Sequence, residues 1–206
     1  MKEMYNNYKN ELSKKNNLIV LISVIFIIGI IFGSIYITIL SHEQKTKILE
    51  QVGNYFKTLN KLTLDNKISI FKNSIYSNLL YTSIMWLLGI SVIGLPIVFI
   101  MIFFKSFTIG FSISSIFAKY GFKGILKVLL YLLPSRLIFT IYIIFLSTYS
   151  VLISIKIFYT AFKKQSINFK MFMGKYSFIL VIGILISILC SLYDSFIEPF
   201  IFQIFN

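Results

Sequence analysis

Arg136 stands two residues after Pro134, inside an apolar run covering residues 125–155, and it is the one arginine beside nineteen lysines. An unpaired cation near the middle of a bilayer costs roughly 3 kcal/mol or more, so it calls for a partner or a water-filled cavity. Carbonyls freed near Pro134 are candidate partners, as are the carboxylates of Asp194 and Glu198 on the last apolar segment; snorkelling to the interface is the bland alternative. Patterns that would signal bond-breaking chemistry are missing: no H-x-x-x-H, C-x-x-C, G-x-x-x-x-G-K-[ST] or G-x-S-x-G occurs. The sole histidine, His42, follows the end of an apolar segment, and Cys190 is alone within another, which leaves no disulfide or thiolate metal site. The expectation is a protein that is not an enzyme and has no cofactor and no metal.

The elements that must carry Arg136 are long apolar stretches. Residues 18–40, 79–104, 125–155 and 177–199 each exceed the roughly 20 residues that cross a hydrocarbon core as a helix. Residues 106–119 are apolar but short, and predict a tilted span or half of a broken one. With 57% hydrophobic and 13% charged residues in a 206-residue chain, the composition fits an all-α, polytopic integral membrane bundle. It is read as a single membrane domain over 1–206, with about five transmembrane helices, some broken by glycine or proline. No polar interval approaches the size of a separate soluble domain.

A net charge of +13 would suggest nucleic acid in a soluble protein. Here the lysines are scattered over loops and helix ends, where they snorkel and attract anionic headgroups, so the expected partner is membrane lipid and not nucleic acid. Lys14 and Lys15 before the first span, and Lys156, Lys163, Lys164, Lys170 and Lys175 before the last, place the N-terminus in the cytoplasm and the C-terminus outside. Lys105 then marks the inner interface, and Lys119, Lys123 and Lys127, four residues apart on one helical face, the outer one. The outer loop, 41–77, places Ile48, Val52, Tyr55, Phe56 and Leu59 at helical spacing; this face is expected to lie on lipid or to receive a partner.

Gly29 and Gly33 form a G-x-x-x-G pair, which permits close helix approach either within the bundle or in a homo-oligomer. The run FIIGIIFGS around them, then WLLGISVIGLP over 86–96, FKSF with GF over 104–111, GFKG over 121–124, LLP at 132–134 and SFIEP at 195–199 together resemble, in order and spacing, the stage II sporulation protein M family of endospore-forming bacteria. The family-motif positions are Gly29, Gly33, Gly89, Gly94, Pro96, Gly110, Pro134, Glu198 and Pro199. The resemblance implies a non-enzymatic membrane scaffold of the engulfment machinery. It would recruit two peptidoglycan hydrolases, sporulation proteins D and P, to the septal membrane. A rival reading is a permease-like subunit of an ABC-type exporter, because spans broken by glycine and proline together with an intramembrane arginine also describe a substrate path.

Overall fold

The computed structural model describes the backbone of residues 2–59, 62–163 and 169–205, and the side chains of 15–59, 62–160 and 173–203. Every regular element among them is helical. They are α1 (Lys2–Ile39), α2 (His42–Leu59), α3 (Leu64–Gly89), α4 (Gly94–Tyr120), α5 (Phe122–Lys127), α6 (Leu133–Lys163), α7 (Phe169–Leu192) and α8 (Glu198–Phe205). Two five-residue π-helical turns interrupt this order: π1 (Val128–Leu132) joins α5 to α6, and π2 (Tyr193–Ile197) joins α7 to α8.

Four stretches are long and apolar enough to cross a membrane: Lys15–Ile39, Gly94–Tyr120, Phe122–Thr160 and Met173–Gln203. Alongside them packs α3, whose 26 residues rise about 39 Å. It runs antiparallel to α7, from Ser74 against Asp194 to Trp86 against Tyr176. Its polar positions are spent inside the bundle: Ser74, Asn78 and Tyr81, three or four residues apart, bond to Asp194, Ser191 and the Met101 carbonyl.

Residues 79–104 are therefore not one span. The chain leaves α3 at Gly89, turns through 90–93 and starts α4 at Gly94. Pro96 gives the reason: in a continuous helix it would leave the Val92 carbonyl without a donor and crowd it, whereas in the first turn of α4 its missing N–H costs nothing. Ser154 of α6 donates to the carbonyls of both Gly89 and Ser91 and so satisfies the broken end. A Cβ on Gly94 would collide with the Leu88 carbonyl across this turn. The short span expected at 106–119 is in turn the second half of α4, and the loop expected at 41–77 consists of α2 and the first half of α3.

The G-x-x-x-G pair is used within the chain. α1 and α4 run parallel, with Gly29 against Phe103 and Ser106, Gly33 against Phe107, and Gly110 against the Ile30 carbonyl, all so close that a Cβ would overlap them. Phe107 and Phe111 of α4 stack and meet Tyr36 of α1 edge-on, closing the seam. This is packing within the bundle, and the seam is not free for a second copy. Gly89 likewise lies beneath Tyr176, whose hydroxyl donates to the Trp86 carbonyl at 2.8 Å.

Two apolar clusters divide the interior. One, around Ile22, Met85, Val98, Ile102, Tyr142 and Leu146, fills the half where α1 begins. The other, around Phe56, Leu59, Ile116, Tyr131 and Phe202, fills the half beneath α2.

Candidate functional site

Between the two clusters lies a polar cavity of about 310 Å³, walled by α2, α3, α4, α6 and the α7–α8 segment. Four charged side chains line it, Lys105, Arg136, Asp194 and Glu198, together with Tyr55, Asn73, Ser74, Ser77, Asn78 and Cys190.

Each wall is positioned by a local device. Pro134 is the second residue of α6 and Pro199 the second of α8, each directly preceded by a π turn. Proline cannot donate to the carbonyl four residues back. In each case the chain shifts to i→i+5 bonding, with the N–H of Leu133 reaching the Val128 carbonyl and that of Glu198 reaching the Tyr193 carbonyl. Pro134 has no N–H to offer the Leu130 carbonyl four residues back, and the Tyr193 hydroxyl donates to that carbonyl at 2.8 Å. The two breaks are thus tied to one another. They set Ser135 and Arg136 on one side of the cavity, and Asp194 and Glu198 on the other.

The charges are held by neutral partners. Ser74 donates to Asp194 Oδ2 at 2.9 Å, and Tyr55 of α2 donates to Glu198 Oε1 at 2.7 Å. Burial of its hydroxyl end, followed by the Glu198 charge and hydrogen bond, keeps the Tyr55 phenol well above its ordinary pKa. The Lys105 ammonium lies 5.0 Å from the Tyr81 ring centroid and 4.8 Å from that of Phe139, at cation–π distance. Among the described residues no ion pair within 4 Å joins Arg136 or Lys105 to the carboxylates; the pair that forms is Lys47–Glu43, exposed on α2. Cys190 is buried and donates to the Ser135 carbonyl at 3.4 Å.

Arg136, expected as an intramembrane charge with Asp194 or Glu198 as partner, does share its cavity with both. It faces them without touching. Lys105, expected at the inner interface, is instead eleven residues into α4, about 16 Å from its start. The turn at 90–93 is what moves it inward, because α4 begins later than the unbroken reading assumed.

The face formed by Ile48, Val52, Phe56 and Leu59 is also redirected. Phe56 and Leu59 are 4% and 2% exposed, and Phe56 meets Tyr120, Tyr131 and Phe202. The half-buried Ile48 and Val52 continue the same side of α2. The amphipathic face therefore packs on the bundle and leaves Glu43, Gln44, Lys47, Glu50 and Asn54 outward. Lys119, Lys123 and Lys127 do not share one helix, because Gly121, at φ 57°, ends α4 between them. Lys127 places its ammonium 4.8–5.0 Å from the ring centroids of Phe56, Tyr120 and Phe202.

Sequence reasoning grouped Arg136, Asp194 and Glu198, but set Lys105 at an interface and Tyr55 on the amphipathic face of the outer loop, and missed Ser74. The signal for Ser74 was present as a serine and asparagine stripe over 73–78. The stripe was hidden by its assignment to a loop.

The chain matches no curated protein and no solved structure. Residues 22–201, from the first span through both π turns and the whole cavity wall, match the model of the stage II sporulation protein M family, and the chain belongs to that family.

Proposed function

We propose that this protein is a membrane scaffold of the sporulation engulfment machinery, holding the peptidoglycan hydrolases D and P at the septal membrane. The observation that carries the reading is the family match, which extends over every membrane-crossing segment and α2. Supporting it is the way α2 is mounted: with Phe56 and Leu59 turned into the bundle, its polar face stands on the side opposite the α1 N-terminus, as a fixed ridge that a partner can contact. In this reading the N-terminus is cytoplasmic and α2 faces the space where the hydrolases work.

The test separates ridge from core. Lys47→Glu combined with Glu50→Lys alters the exposed face, and is expected to leave accumulation unchanged while weakening co-purification of both hydrolases with the detergent-solubilised protein. Phe56→Asp is expected to abolish accumulation instead, because it buries a charge among four aromatic groups and Lys127. Unaltered recovery and septal localisation of both hydrolases with the double charge swap would remove α2 from the mechanism.

The cavity favours a second reading. Two broken helices flanking enclosed charges are also the layout of a substrate path in a permease-like exporter subunit. That reading expects a partner ATPase to co-purify, and the scaffold reading does not.

A further inference from the structure

Four charged side chains, two of each sign, surround the cavity, and their arrangement is unlike a salt-bridge network. In a low-dielectric bundle, opposite charges gain most by direct contact. Here they are held apart. Asp194 is braced by Ser74, Glu198 by Tyr55 and Lys105 by the rings of Tyr81 and Phe139. Arg136, the fourth, has its side chain exposed at the cavity wall. The anions both belong to the π2–α8 segment, whereas the cations come from α4 and α6. The cavity of about 310 Å³ between them is far larger than the roughly 10–15 Å³ that one water molecule needs.

We propose that this cavity binds a small zwitterion, a primary ammonium a few bonds away from a carboxylate or phosphate. The ammonium would sit against Asp194 and Glu198, and the oxyanion against Arg136 and Lys105. Arginine suits the second role because its planar fork binds an oxyanion through two parallel hydrogen bonds. Asn73 and Ser77 supply further donors and acceptors on the α3 wall. A simple anion would meet two carboxylates, and a simple cation would meet Arg136 and Lys105; a ligand carrying both charges leaves none of the four opposed. The two π turns at the cavity wall set both sides of the site, and π turns of this kind recur at functional sites.

Two sources could supply this chemistry, a free amino acid or the headgroup of an ethanolamine lipid, and the inference stands apart from the scaffold role. The experiment uses the full chain. Binding of radiolabelled L-alanine is measured in detergent, and the thermal midpoint, read by Trp86 fluorescence, is measured in nanodiscs of phosphatidylcholine and phosphatidylglycerol with and without phosphatidylethanolamine. Saturable alanine binding identifies a free solute; a rise in midpoint specific to phosphatidylethanolamine identifies the lipid. In either case Arg136→Gln and Asp194→Asn should each weaken the effect at least tenfold, and ethylamine or acetate alone should reproduce neither. Ser77→Leu keeps all four charges while narrowing the cavity, and should also weaken it, so the site is read even when a charge variant fails to fold. The inference is overturned if neither probe gives a saturable or lipid-specific signal. It is equally overturned if the signal survives every one of these substitutions that folds.

Discussion

The Tyr193 hydroxyl donates to the Leu130 carbonyl at 2.8 Å, and Pro134, four places on, has no N–H to offer that carbonyl. One side chain in the second π turn thus repairs the backbone defect of the first. Leu130 and Tyr193 lie on different membrane-crossing segments, so the bond also fixes the distance between the two cavity walls.

Tyr193→Phe should therefore destabilise the protein by about 1–2 kcal/mol, the cost of an unsatisfied carbonyl in an apolar setting. Pro134→Ala restores an N–H in the same turn. The cost of Tyr193→Phe should shrink in that background, giving a coupling term of the kind a double-mutant cycle measures. Unfolding followed through Trp86 fluorescence provides the readout, and strictly additive effects would separate the two residues.

The α1–α4 seam allows a sharper test. Gly33 faces the backbone of Phe107 at a distance that no Cβ tolerates, whereas a Cβ on Gly174 would meet nothing within 4 Å. Both glycines are helical. Gly33→Ala should destabilise by several kcal/mol, since backbone rather than a mobile side chain must move. Gly174→Ala should gain up to about 1 kcal/mol from helix propensity. Equal thermal midpoints for the two variants would contradict the close approach.

These features differ in how far the chain alone reveals them. The G-x-x-x-G spacing is local, so the close helix approach was legible, although whether the partner helix lay in the same chain was not. Pro134 and Pro199 announced breaks, but the π turns that accommodate them depend on tertiary bonds such as Tyr193 to Leu130. The turn at 90–93 was misread because Gly89, Gly94 and Pro96 are embedded in apolar residues, and hydropathy cannot distinguish a buried turn from a span. That single error displaced Lys105 to an interface and turned the polar stripe of α3 into a loop, which concealed half of the cavity.

Tyr55 and Glu198 give the site a pH signature. The phenol is held above its ordinary value by burial, and by the charge and hydrogen bond of Glu198, while an unfolded tyrosine ionises near pH 10. A group whose folded pKa is raised contributes its stability in full below the unfolded pKa, and loses it as the pH rises towards the folded one. Between about pH 9 and 11 the thermal midpoint should fall more steeply for the natural protein than for Tyr55→Phe. At neutral pH the same substitution should cost about 1.5–3 kcal/mol, since Glu198, 5% exposed, loses the donor to its carboxylate. Parallel alkaline slopes would place the ionising groups elsewhere.

Orientation is the remaining question that a simple measurement decides. With Lys105 inside the bundle it counts for neither side, and the argument rests on lysines close to the ends of the spans, where the positive-inside bias acts. Lys15, which donates to the Tyr149 hydroxyl at 3.0 Å, and the exposed Lys175 lie at the α1 N-terminal end of the bundle. Thr46 and Lys123, also exposed, lie at the α2 end. Single cysteines introduced at Thr46, Lys123 and Lys175 in a Cys190→Ser background can be challenged with a membrane-impermeant maleimide on intact cells. We expect labelling at Thr46 and Lys123, with Lys175 protected until the membrane is permeabilised. The reverse pattern would invert the molecule, placing α2 and its polar ridge in the cytoplasm, and would exclude α2 as the contact for hydrolases acting on the outer side.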